Sequence, residues 1–141
     1  MNSYGLIDLH CDTLAEYWKY AHTGNPDTLD DPGRVLSLSN MPKDVHWAQF
    51  YAVFIPDEER GQAAIDYFEK NRANFYRQME KFGDRVAPCR NADDMEKAWA
   101  AGKTAAFLTI ENGSALAGDL SRVHTLAEQG VRAITLTWNG E

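Results

Sequence analysis

The chain has 141 residues, 44% of them hydrophobic and 11% aromatic, which is enough apolar surface for one folded domain with a sizeable core. Its formal net charge of −7, with no cluster of Lys and Arg interleaved with aromatics, excludes a nucleic-acid groove. Two cysteines make no disulfide framework, no basic-then-apolar leader precedes the first strand, and the apolar runs around Phe50 and Phe107 are too short to cross a bilayer, so the expectation is a soluble cytoplasmic protein with no membrane partner.

An apolar run begins at Tyr4 and carries the first expected strand through residues 6–14, Leu-Ile-Asp-Leu-His-Cys-Asp-Thr-Leu. Asp8, His10 and Asp12 interrupt it with charge, which is costly in a buried strand unless the charges have work to do. Side chains alternate along a strand, so His10 and Asp12 share one face with Cα atoms about 6.6 Å apart. A nitrogen and a carboxylate oxygen leaning across that gap can share a metal ion, at bonds of about 2.0 to 2.2 Å for zinc. Cys11 points the other way and is expected to pack behind the strand. A His-x-Asp triplet standing alone is more often a hydrogen-bonded pair, so the metal reading depends on what the rest of the chain brings to it.

Residues 13–21 have the spacing of a short amphipathic helix through Leu14, Tyr17, Trp18 and Ala21. Residues 26–42 are rich in Asp, Pro, Gly, Ser and Asn, the composition of an excursion, and are expected to overhang the strand end that carries His10. A nearly unbroken apolar run over 47–55, stopped by Pro56, fits a strand buried on both faces. Residues 58–82 predict a long helix with Ile65, Phe68, Phe75, Met79 and Phe82 in one stripe, and Val86 to Cys89 a short extended piece. Asn91 is placed to cap a helix whose inner face is Met95, Ala98 and Trp99, with Gly102 beyond its last turn. Residues 104–110 predict a second buried strand, ending in Glu111-Asn112-Gly113 with a carboxylate where the apolar run stops. A helix over 119–129, with Leu116, Leu120, Val123 and Ala127 along one side, and a strand over 131–137 lead into Trp138-Asn139.

Strands alternating with helices specify a parallel α/β sheet with right-handed crossovers, and His10, Asp12, Glu111 and Asn139 all fall at its carboxyl edge, where such folds place chemistry. No Gly-x-Gly-x-x-Gly or Walker sequence supports a nucleotide fold. In a β/α barrel the first and third principal strands contribute to one inward layer, so His10, Asp12 and Glu111 can meet across the lumen. Four principal strands are half of the eight that close such a barrel. The expected fold is therefore the amino-terminal half of a (β/α)8 TIM-type barrel, with residues 1–141 as the amino-terminal portion of a single metal-dependent hydrolase domain in a truncated chain. His22, His46 and His124 are read as structural or solvent-facing, and Trp18, Trp47 and Trp99 as core aromatics.

The segments Asp-Leu-His-Cys-Asp-Thr-Leu, Ala-Gln-Phe-Tyr-Ala-Val-Phe-Ile-Pro, Leu-Thr-Ile-Glu-Asn-Gly and Gly-Val-Arg-Ala-Ile-Thr-Leu-Thr-Trp-Asn, in that order and spacing, resemble the membrane dipeptidase (renal dipeptidase) family of zinc peptidases. The resemblance implies a barrel holding two zinc ions, with His10 and Asp12 on one ion and Glu111, the catalytic carboxylate, bridging both. A hydroxide held between the ions would attack the peptide carbonyl of a dipeptide. The family's remaining zinc-binding histidines and a late aspartate lie on later strands, outside this chain, so the 141 residues alone are expected to be inactive. Trp138 stands where the mammalian enzymes carry a substrate-contacting histidine, which makes Trp138 and Asn139 the substrate-binding candidates and implies a changed dipeptide preference. A homodimer is the candidate assembly. Two other functions stay open: a related amidohydrolase acting on another amide or lactone, and a non-catalytic metal-binding scaffold.

Overall fold

The computed structural model describes residues 4–14 and 28–139, so all but the first two residues of the expected helix over 13–21, including Trp18, lie outside the described residues, as does His22. Five parallel strands form one sheet: β1 (Gly5–Cys11), β2 (His46–Phe54), β3 (Val86–Pro88), β4 (Thr104–Glu111) and β5 (Val131–Thr135). Among the described residues three helices accompany them: α1 (Gln62–Lys81), α2 (Ala92–Ala100) and α3 (Arg122–Glu128). β2 lies between β1 and β4. The other edge of β4 is shared, with β3 along Thr104 to Ala106 and β5 along Leu108 to Glu111. The minor strand β3 therefore does not come between β1 and β4, and the two principal strands that carry the charged residues stand one strand apart.

The register sorts the side chains of the sheet onto two faces. Tyr51, Val53 and Ile55 join Ala106, Leu108 and Ile110 on the outer face, where Phe68, Phe75 and Met79 of α1 and Leu126 of α3 pack against them. The inner face pairs Ala48 with Ala105, Phe50 with Phe107, Ala52 with Thr109 and Phe54 with Glu111. The Phe50 and Phe107 rings stack with centroids 4.7 Å apart. Helix α2 lies on this inner face at the amino ends of the strands: Ala98 packs with Ala48 and Ala105, and Trp99 Nε1 donates to Trp47 O at 2.9 Å. Its start follows the sequence expectation, since the Asn91 side chain accepts from Asp94 N at 2.8 Å. The result is a sheet sealed at one end of its inner face and open at the other.

Helix α3 is shorter than the spacing predicts. Ala117 and Gly118 take positive φ, so a 3-10 turn (Gly113–Leu116) ends there and the helix begins afresh at Arg122. The new phase buries Leu126, whereas Leu120 and Val123, expected on the buried side, are exposed. Likewise α1 begins at Gln62, after Gly61 at φ 55°, and not at residue 58.

The excursion is pinned at both ends. Leu29 N donates to the fully buried Gln78 Oε1 at 2.8 Å, and Asp30 forms a two-pronged ion pair with Arg85, at 2.9 and 2.7 Å. At the carboxyl end of β1, Thr13 Oγ1 donates to Leu36 O at 2.7 Å, which sets residues 34–36 beside His10 and Asp12 around a cavity of about 400 Å³.

Candidate metal centre

β1 carries its ligands on a bulge. Pairing with β2 runs one to one from Gly5 to Asp8, then slips, so that Cys11 lies opposite Tyr51. The extra residue turns Cys11 to the outer face, where it packs against the core and burial pushes its thiol up to about 12. His10 and Asp12 consequently point to the inner face. His10 N donates to Asp8 Oδ1 at 3.1 Å, which ties the bulge together.

Across the small side chain of Ala52, β4 ends in Glu111. His10 Nε2 stands 3.4 Å from Asp12 Oδ1 and 3.5 Å from Glu111 Oε2, and the three ligand atoms all lie within 4.8 Å of one another. A tetrahedral ion with bonds of about 2.1 Å sets neighbouring ligand atoms about 3.4 Å apart. The donor set of one imidazole and two carboxylates is that of zinc or a similar divalent cation. The residues present fit such an ion.

The Glu111 side chain is the most sheltered of the three, 18% exposed against 47% for His10 and 57% for Asp12. Burial pushes its carboxyl above the ordinary range; the facing His10 pulls it down and Asp12 adds to the rise. Two carboxylates held this close repel each other, which a cation between them relieves.

Of the other expected site residues, Trp138 stands outside this cluster, half exposed, with its ring edge-on to Phe54 at 4.8 Å. Phe54 is the register partner of Glu111, so the two rings form a wall beside the carboxylate. Asn139 is exposed at the same strand end. His46 sits at the amino end of β2 against Trp99 and His124 is exposed on α3, both away from the carboxyl edge. A cavity of about 640 Å³ between residues 38–46 and the end of α2 also lies at the amino ends of the strands and not at the charged cluster.

Sequence reasoning passed over Phe54 and Asn112. Phe54 is hidden in an apolar run, and only the register with Glu111 singles it out. Asn112 has φ 74° and ψ 107°, a region that side chains avoid at a cost of order 1–3 kcal/mol, and it is buried. The signal available was an asparagine between a strand-end carboxylate and a glycine.

The profile of the membrane dipeptidase family (peptidase family M19) matches residues 1–141. Among curated proteins none matches the chain. Among solved structures, dipeptidase AC, a family M19 metallopeptidase, superposes with a TM-score of 0.79 at 19% identity, over 99% of this chain and 44% of its own. A metallopeptidase from Rhodobacter sphaeroides, bound to a phosphinate mimic of the dipeptide L-Ala-D-Ala, gives 0.79 at 17% identity over 99% and 47%. The probable dipeptidase PvdM of Pseudomonas aeruginosa gives 0.72 at 18% identity over 98% and 35%. The chain thus spans less than half the length of these structures, and its sheet corresponds to the amino-terminal part of their TIM barrel. With the profile match running from the first residue to the last, across the strand that holds His10 and the strand that holds Glu111, the chain belongs to the membrane dipeptidase family.

Proposed function

We propose that the protein is a zinc-dependent dipeptidase in which His10, Asp12 and Glu111 hold metal and Glu111 is the carboxylate shared between two ions. The observation that carries this reading is the cluster itself: three ligand atoms from the ends of two strands, all within 4.8 Å of one another and with His10 3.4 and 3.5 Å from the two carboxylates, in a chain whose family is a dipeptidase family. A divalent ion bound there lowers the pKa of water towards 7 and polarises a carbonyl. The chain's own residues supply the rest. Ala52 leaves room over β2 for His10 and Glu111 to approach, and the bulge aims His10 and Asp12 inward. Glu111 brings a negative charge into a sheltered place, where it acts strongly on a bound cation or a developing ammonium. Among the described residues, a second ion would draw on Glu111 alone.

Trp138 and Asn139 flank the substrate in this reading, since Trp138 leans on the ring next to Glu111. Trp138→His exchanges an apolar face for a hydrogen-bonding one. It is expected to change the ranking of a dipeptide panel more than the zinc content.

The deciding experiment uses the protein as its gene encodes it, purified without chelator. Zinc near two ions per chain, with dipeptide cleavage lost to a chelator and restored by zinc, is the expected result. Protein that takes up no zinc when it is added and cleaves no dipeptide would refute the proposal.

A further inference from the structure

We infer that Asn112 is a positioning residue for the Glu111 carboxylate, acting through the backbone that the two residues share; the inference rests on the metal-centre reading above. Glycine would adopt φ 74°, ψ 107° without a Cβ penalty, so an asparagine in that conformation is held there by what its amide contacts. Asn112 Nδ2 donates to Ile55 O at 2.8 Å and to Asp57 Oδ1 at 3.0 Å. Its Oδ1 accepts from Ser114 N at 3.2 Å and from Ser114 Oγ at 2.8 Å. Both donors and both acceptor positions of the amide are thereby used.

The neighbouring peptide groups are tied to the same places. Ile55 N donates to Glu111 O at 3.0 Å, so the residue that receives the Asn112 amide also grips the ligand's own carbonyl. On the far side, Gly113 N donates to Leu136 O at 3.1 Å. Ends of β2 and β5 are therefore clasped to the three residues around the ligand, and the Cα–Cβ direction of Glu111 is left little freedom. That direction sends the carboxylate 3.5 Å from His10 Nε2, on a strand with which β4 has no direct pairing. A side chain reaching across an intervening strand needs such a fixed origin, because a small rotation at Cα becomes a large displacement at the carboxylate.

Asn112→Gly separates the work of the amide from that of the backbone, since it relieves the unfavourable φ and removes all four hydrogen bonds. Zinc affinity, measured by competition with a chromophoric chelator on the protein as its gene encodes it, is expected to fall about 10–100-fold, the usual effect of removing a group that orients a ligand. The melting temperature of the metal-free protein should stay within roughly 5 °C of wild type. Unchanged zinc affinity in folded Asn112→Gly protein overturns the inference. Ser114→Ala removes a single hydroxyl from Asn112 Oδ1 and decides the matter if Asn112→Gly does not fold: several-fold weaker zinc in a folded protein supports the inference, and wild-type affinity overturns it. Glu111→Gln serves as the reference. Should it keep full zinc affinity, the metal-centre reading itself falls and takes the inference with it; should it lose zinc while Asn112→Gly keeps it, only the role of Asn112 is wrong.

Discussion

The two strands that bring the charged cluster together are built in opposite ways. β4 is buried from Ala105 to Ile110 and bonded along both edges, with Glu111 at its sheltered end. Among the described residues β1 pairs with β2, and its register slips at the bulge before Cys11. Glu111 therefore inherits its place from the core of the sheet, whereas His10 and Asp12 take theirs from a local bulge. The centre thus has an anchor set by the sheet core and a pair of arms set by a bulge.

Substitutions can test whether that division holds. The largest effect is expected from Glu111→Gln, which keeps the shape of the anchor and removes its charge: hydrolysis by the protein as its gene encodes it should fall by orders of magnitude while the circular dichroism spectrum is unchanged. An active but unstable variant would mean that Glu111 is a buried pairing partner and not a reactive group. Next comes Gly113→Ala. An added Cβ would meet Leu136 O at 2.9 Å, so the end of β5 must move away from the anchor. Denaturant unfolding should show a loss of about 1–3 kcal/mol. A stable variant would show that the clasp on β4 is looser than its geometry suggests.

Asp8→Ala probes the arms. It takes away the acceptor for His10 N and is expected to weaken the bulge by about 0.5–1.5 kcal/mol, read as several-fold weaker zinc binding with little change in melting temperature. Equal losses of stability and affinity would place β1 in the rigid core alongside β4. The smallest effect belongs to Asp30→Asn, on the excursion that flanks β1. Hydrogen bonding to Arg85, helped by Ser39, holds the Asp30 carboxyl below its ordinary range, against a smaller opposing effect of burial. A depressed folded-state pKa adds stability above the unfolded value of about 3.9, and that stability is lost as the pH falls through the folded value. The partly exposed pair is worth about 1 kcal/mol or less. Wild type and variant should thus differ most near neutral pH and converge below about pH 4; a gap that widens on acidification would contradict the ion-pair account.

Much of this arrangement was legible in the residues. The buried strands announced themselves as unbroken apolar runs, and the period-2 rule put His10 and Asp12 together with Cys11 behind them. The bulge was not legible, because nothing in Asp-Leu-His-Cys says where pairing slips; the rule placed the ligands together, while the slip decides which face they take. The start of α3 was misread for a related reason. Leu116, Leu120 and Val123 share helical spacing, but Ala117 and Gly118 at positive φ reset the phase between them, so Leu126 became the buried residue. The strain at Asn112 was beyond reach of any pattern, since it arises from contacts with Ile55 and Asp57, more than fifty residues earlier.

Helix α2, set against the inner face at the amino ends of the strands, has a consequence for traffic. Ala98 and Trp99 are seated at that end, so the inner face behind the charged cluster is covered by α2. Under the proposed dipeptidase reading, a dipeptide would reach the cluster from the carboxyl ends of the strands, on the side of Phe54 and Trp138.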